Sequence, residues 1–270
     1  MKFRFLMISV LMITGLAFAG EGHGKLDKDS AKALKKVIAG DHRSEDNKAR
    51  DQYRNPYETL SFLGITKDMT VVEITPGGGW YTEILAPYLK DSGVYYAAGY
   101  DPEGPRPWMK GAVERFQKKL DSNAAYGKTK VTVYTGEIAP EGTADAVLTF
   151  RNLHNWMSAG NTDELFQAFN KALKKGGILG IVEHRAKNDK EQDPKAKSGY
   201  VRQDYVIALA EKAGFELVGS SEVNANKKDT TVWPQGVWTL PPVLATKDDD
   251  GDKYKQYGES DRMTLKFRKK

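Results

Sequence analysis

Thr70-Val71-Val72-Glu73-Ile74 runs straight into Thr75-Pro76-Gly77-Gly78-Gly79, and Trp80-Tyr81-Thr82-Glu83-Ile84-Leu85 follows. The first five residues are β-branched or apolar around one acid, the make-up of a strand buried on both faces. The glycines let the backbone turn and come close to a ligand. The helix after them begins with N–H groups that have no intrahelical partner. Strand, glycine loop and helix in this order predict a ligand site at the carboxyl end of the strand, beside the first crossover of an open parallel sheet.

The same alternation continues downstream. Strands are predicted at Val94–Ala98, Val131–Tyr134, Ala146–Phe150, Ile178–Val182 and Phe215–Val218. Met263, Leu265 and Phe267 alternate with Thr264 and Lys266 in a last, half-exposed strand. Between them lie a helix from Trp80 through Leu85 that Pro87 kinks or ends, and one over Trp108–Leu120 with Val113, Phe116 and Leu120 at helical spacing. Two more run from Asp163 to Leu173, stopped by Gly176-Gly177, and from Arg202 to Ala213, stopped by Gly214. Helices alternating with apolar strands predict an α/β fold, a mostly parallel sheet covered on both faces.

Upstream, residues 25–66 read as helices, with Leu34, Val37 and Ile38 on one face and Tyr57–Leu63 as a later short helix. The charge-dense stretch 43–56 reads as a solvated helix with internal ion pairs. Residues 224–261 have no clear periodicity, but Trp233, Pro234, Trp238, Pro241 and Pro242 favour an ordered lid. The division expected is a signal peptide over 1–19, a helical cap over 20–66, the sheet domain over 67–223, an insertion over 224–261 and a final strand over 262–270.

The signal peptide rests on Lys2 and Arg4, the apolar run Phe5–Phe18 and the small residues of Ala17-Phe18-Ala19. The run is short for a membrane span. Cleavage before Gly20 predicts a periplasmic or secreted protein with no stable membrane insertion. With no cysteine in the chain, disulfides, Cys-ligated metals and a lipoprotein anchor are excluded. Asp248-Asp249-Asp250-Gly251-Asp252 fails as an EF-hand, because Thr246 and Tyr257 fall where ligating acids belong. It reads as a solvated acidic turn, and no metal site is expected. Net charge is +5, or +3 once Lys2 and Arg4 leave, with bases scattered among acids. This argues against a nucleic-acid partner.

Several motifs in register resemble class I S-adenosylmethionine (SAM)-dependent methyltransferases. Residues 71–79 look like their acid–glycine first motif. Gly136-Glu137 is similar to the pair whose acid contacts the adenine amine, and Ala144–Leu148 with Leu153-His154-Asn155-Trp156 to the fourth-strand motif. Leu173-Lys174-Lys175-Gly176-Gly177 resembles the turn before the fifth strand. Phe150–Trp156 and Glu259-Ser260-Asp261-Arg262 look like a family of exported bacterial proteins described as predicted methyltransferases. The resemblance implies a Rossmann-like seven-stranded sheet whose last strand is antiparallel, and SAM as cofactor. It also implies contacts from Glu73, Thr75, Pro76, Gly77, Gly78, Gly79, Asp101 and Glu137.

Two departures stand out. Thr75 replaces the first loop glycine and Pro76 follows it, which stiffens the loop. Asp101, the candidate for the ribose hydroxyls, comes only after Gly99-Tyr100, so either the strand is longer or ribose recognition is altered.

His154 and Asn155 fall at the carboxyl end of the fourth strand and are the candidate catalytic residues. His154 would be a general base, or else a residue satisfied by a neighbouring carbonyl. His184 and Arg185, at the next strand end, read as ligand groups or as a cap. Trp80, Tyr81 and Trp156 offer faces to a sulfonium or pack the core. Two functions follow: methyl transfer to a small molecule, or an exported methyltransferase fold recruited to bind another ligand. SAM is made in the cytoplasm, so the signal and the cofactor pull apart.

Overall fold

The computed structural model describes residues 26–189, 191–246 and 251–270. The signal segment and Asp248–Asp250 lie outside the described residues. Among the described residues no helix is long and apolar enough to cross a membrane.

The N-terminal part holds α1 (Lys28–Ile38), the one-turn helices α2 (Glu45–Lys48) and α3 (Asp51–Arg54), and α4 (Pro56–Leu63). Asp27 caps α1 by accepting from Ser30 N at 2.8 Å. Asn55 turns left-handed, and Pro56 then opens α4 where its missing N–H is harmless. The alternation follows as β1 (Thr70–Ile74), α5 (Thr82–Leu89), β2 (Val94–Gly99), α6 (Trp108–Asp121), β3 (Lys130–Val133), β4 (Ala144–Phe150), α7 (Leu153–Ala159) and α8 (Thr162–Ala172). The chain then forms β5 (Leu173–His184), α9 (Gln203–Lys212), β6 (Phe215–Ser221) and β7 (Arg262–Lys269).

One seven-stranded sheet has the order β3-β2-β1-β4-β5-β7-β6. β1 to β5 pair in parallel, and β7 is antiparallel to both β5 and β6, as expected. Val72 and Ile74 turn one way, into a core with Leu153, Trp156, Phe166, Phe169 and Phe215. Val71 turns the other way, joining Leu34, Leu60, Leu63, Ile84 and Leu85. Both faces are therefore dry, which is why the strands lack polar alternation. The strand order reverses between β1 and β4, which opens a crevice at their carboxyl ends.

α5 does not end at Pro87 but continues through it to Leu89. Proline cannot donate to the carbonyl four residues back, and His42 Nε2 satisfies that Glu83 carbonyl instead at 2.9 Å. β5 begins at Leu173 rather than after the glycines, since Leu173 pairs with Ala144 and a register shift absorbs the irregularity. Stretch 43–56 is not a solvated helix. It breaks into α2 and α3, and Arg43 and Arg54 are buried with their guanidiniums 5.2 and 4.7 Å from the Trp80 ring.

Candidate functional site

Beside this crevice, at the carboxyl ends of β1 and β2, lies a cavity of about 460 Å³ lined by Thr75, Pro76, Gly77 and Gly78 from the loop after β1 and by Gly99 and Tyr100 after β2. Trp108, Arg115, Phe116 and Lys119 of α6 close it from the side. Its size is that of a small-molecule site.

Thr75 has φ +49, left-handed, a conformation strained for a β-branched residue and easy for glycine. The backbone path of a glycine loop is thus kept, and tied by Thr75 N to Ala98 O at 2.8 Å. The Thr75 hydroxyl is buried at the cavity with no hydrogen-bond partner. Gly77, with φ +59, needs glycine for its backbone. At Gly78 a Cβ would meet nothing within 4 Å, so the space in front of it is free for a ligand. At Gly79 a Cβ would lie 2.8 Å from Lys119 Cδ, so this glycine serves packing instead.

The other cofactor candidates are elsewhere. Glu73 is buried beneath the loop, where it accepts from Tyr95 Oη and, at 3.2 Å, from Thr82 Oγ1. Burial pushes its carboxyl up to about 7, against the lowering effect of those two donors. Asp101 lies beyond the end of β2, and its Oδ1 caps Glu103 N at 2.9 Å. The strand is not longer than drawn by enough to bring it in. Glu137 is exposed. None of the three lines the cavity, whose walls carry two cations, Arg115 and Lys119, and no carboxylate. Lys119 is paired with Glu83 at 2.5 Å.

His154 is buried on α7, and its Nδ1 lies 3.0 Å from Glu183 Oε1, not against a carbonyl. Glu183 also accepts from Leu153 N at 2.7 Å and His184 N at 2.8 Å. With the carboxylate as acceptor, Nδ1 is the donor of this bond. Asn155 is exposed, and neither residue lines the cavity. Asn152, which the sequence reading passed over, ties the two regions together: its Nδ2 donates to Ile74 O at 2.9 Å, at the base of the glycine loop.

His184 Nδ1 meets Ser260 Oγ at 2.5 Å. Burial, then His154 and Arg151, hold this imidazole well below its usual value, hence neutral. His154, Glu183 and His184 bring one donor atom each within 4.8 Å of one another, a metal-capable group that sequence spacing did not suggest. Three N–H donors already occupy Glu183, however, and Arg54, Arg151 and Arg262 set a positive field at His184. Both work against a divalent cation. Trp80 and Trp156 do not line the cavity: Trp80 serves two arginines and Trp156 packs on Phe169. Tyr81 stacks on Phe150 at 3.5 Å.

The architecture matches solved structures along most of its length. A SAM-dependent methyltransferase from Aquifex aeolicus superposes with a TM-score of 0.55 at 16% identity, over 90% of this chain and 99% of that one. The chain has the Rossmann-like methyltransferase fold. A [4+2]-cyclase, SpnF, superposes at TM-score 0.53 and 14% identity, over 89% and 93% of the two chains. No family model and no curated protein matches the sequence. The cavity lies at the carboxyl ends of β1 and β2, and His154 lies on α7, the helix that follows β4.

Proposed function

We propose that this protein is a SAM-dependent methyltransferase acting on a small molecule outside the cytoplasm. The observation that carries the reading is the cavity at the glycine loop, with a left-handed Thr75 whose buried hydroxyl lacks a partner. Thr75, Pro76, Gly77 and Gly78 would hold SAM, with Tyr100, Trp108 and Phe116 against its apolar parts. Bound SAM supplies a methyl group on a sulfonium that leaves readily. The chain's own task is then to position the acceptor and, where the acceptor carries a proton, to remove it.

His154 is suited to that removal. Glu183 fixes its tautomer and leaves Nε2 free to accept, and the carboxylate stabilises the imidazolium formed. Trp238, from the 224–261 segment, sits edge-on to the His154 ring at 5.9 Å. This supports that segment as a lid whose opening admits the acceptor. Asn155, exposed beside it, would contact the acceptor. Export rests on Lys2, Arg4 and the apolar run of the leader. The second reading, a repurposed fold binding another ligand, is favoured by the absence of a carboxylate from the cavity wall and by the cyclase that shares the fold.

Thermal unfolding of the full chain with SAM or S-adenosylhomocysteine separates the two readings. A ligand at 100 times its Kd stabilises by about 2.7 kcal/mol, a plain melting shift. No shift with either compound at millimolar concentration would leave the second reading.

A further inference from the structure

Four guanidiniums converge on one carboxylate beside this site. Arg50 Nε reaches Glu259 Oε1 at 2.7 Å, Arg54 Nε reaches Oε2 at 3.4 Å, and Arg151 Nη1 lies 3.9 Å from Oε2. Arg262 Nη2 also donates to Oε2. Among the described residues no other carboxylate pairs with any of the four. They come from separate parts of the chain: the turn between α2 and α3, α3 itself, the residue after β4, and the start of β7.

A buried charge is normally matched by a counter-charge. Here Arg54, Arg262 and Glu259 are almost fully buried, with 3–4% of each side chain exposed, and the cluster keeps an excess of positive charge. Arg50 Nη2 and Arg262 Nε are buried with no hydrogen-bond partner. Arg151 is held left-handed, φ +61, a conformation uncommon for a residue other than glycine. Arg50 and Arg151 each keep 24% of the side chain exposed and so frame the approach.

We infer that Arg50, Arg54, Arg151 and Arg262 form an oxyanion-binding site that takes a carboxylate or phosphate group of a small-molecule ligand. Guanidinium forks match both groups bidentately. Glu259 anchors the inner faces of the forks and leaves unpartnered N–H groups for the anion. Supporting this, burial and then the charge of Arg151 press Arg54 down to about 8, and burial and then Arg262 press Arg151 down to about 10. A guanidinium under such pressure gains an anion rather than losing its proton. The site lies at the end of β4, on the crevice edge. On the methyl-transfer reading, the acceptor is therefore an acid or a phosphate ester.

The test uses the full chain with sodium phosphate and sodium benzoate as probes, against sodium chloride at matched ionic strength. Binding is followed by calorimetry and by the rate at which phenylglyoxal labels each arginine, read by mass spectrometry. The expected result is saturable binding of at least one probe, with Arg50 and Arg151 protected together. Benzoate alone points to a carboxylic acid, phosphate alone to a phosphate ester. Arg151→Gln and Arg50→Gln, both partly exposed, should weaken it at least tenfold, and Arg185→Gln should not. Phosphate also stabilises proteins by exclusion, but that effect does not saturate. No saturable binding of either probe, or binding unchanged in folded Arg151→Gln and Arg50→Gln, overturns the site. If the variants do not fold, unprotected Arg50 and Arg151 in the wild type do the same. S-adenosylhomocysteine binding is measured separately, so that loss of the methyl-transfer reading and loss of the anion site are told apart.

Discussion

Replacing Glu73 by glutamine should change the pH dependence of stability in a calculable way. The native carboxyl holds its proton up to about 7, because burial penalises its charge, whereas the unfolded chain releases it at the ordinary 4.5. Between those values the native state binds more protons, so rising pH removes stability. At about 1.4 kcal/mol per unit, the loss from this group approaches about 3 kcal/mol above neutrality. Glutamine does not titrate. Its amide oxygen can accept from the Tyr95 and Thr82 hydroxyls, and whatever the misplaced NH₂ costs is the same at every pH. Urea unfolding of both proteins from pH 4 to pH 8 isolates the effect, since other titrating groups cancel in the difference. The variant should gain about 3 kcal/mol relative to wild type across that range. A difference independent of pH would refute the view that Glu73 is a desolvated acid under the loop.

Thr75→Gly should relieve left-handed strain of about 1–2 kcal/mol while adding about 0.4–1 kcal/mol of unfolded-state entropy. A net gain of about 0.5–1 kcal/mol is expected in chemical denaturation, and a clear loss would mean that the hydroxyl has a partner. Glu259→Gln should destabilise by about 3–5 kcal/mol, as removal of one side of a buried pair does. Burial alone would raise Glu259, but Arg262 and Arg54 hold it at about 2, so its stabilisation, present above 4.5, is lost as pH falls towards 2. Nitrogen NMR of the full chain should find His154 protonated at Nδ1, and an Nε2–H tautomer would remove it as a base.

The α/β framework was readable because strands buried on both faces leave continuous apolar runs, as Val71-Val72 and Ala146–Phe150 do. The glycine loop was readable because glycine takes a left-handed backbone such as that of Gly77 without steric cost. The arginine cluster was not, since charge density in 43–56 looks alike whether solvated or buried, and Glu259 lies 209 residues from Arg50. The Glu183 partner of His154 is 29 residues away on the next strand, where no local spacing points to it. Asp101 and Glu137 followed sequence order, yet the turn at Asp101–Gly104 and the exposed loop at Glu137 carry them off the cavity. Trp108 and Phe116 belonged to a helix read only for its core face.

Calorimetric titration of S-adenosylhomocysteine into the full chain and into Gly78→Val tests SAM binding at the glycine loop most directly. A Cβ at Gly78 meets no atom within 4 Å and its backbone is not left-handed, so the variant should fold and melt as the wild type does while its side chain takes space beside the cavity that a ligand would use. Saturable binding to the wild type and none to Gly78→Val is the expected result. Equal binding to both, or no binding to the folded wild type, would contradict it.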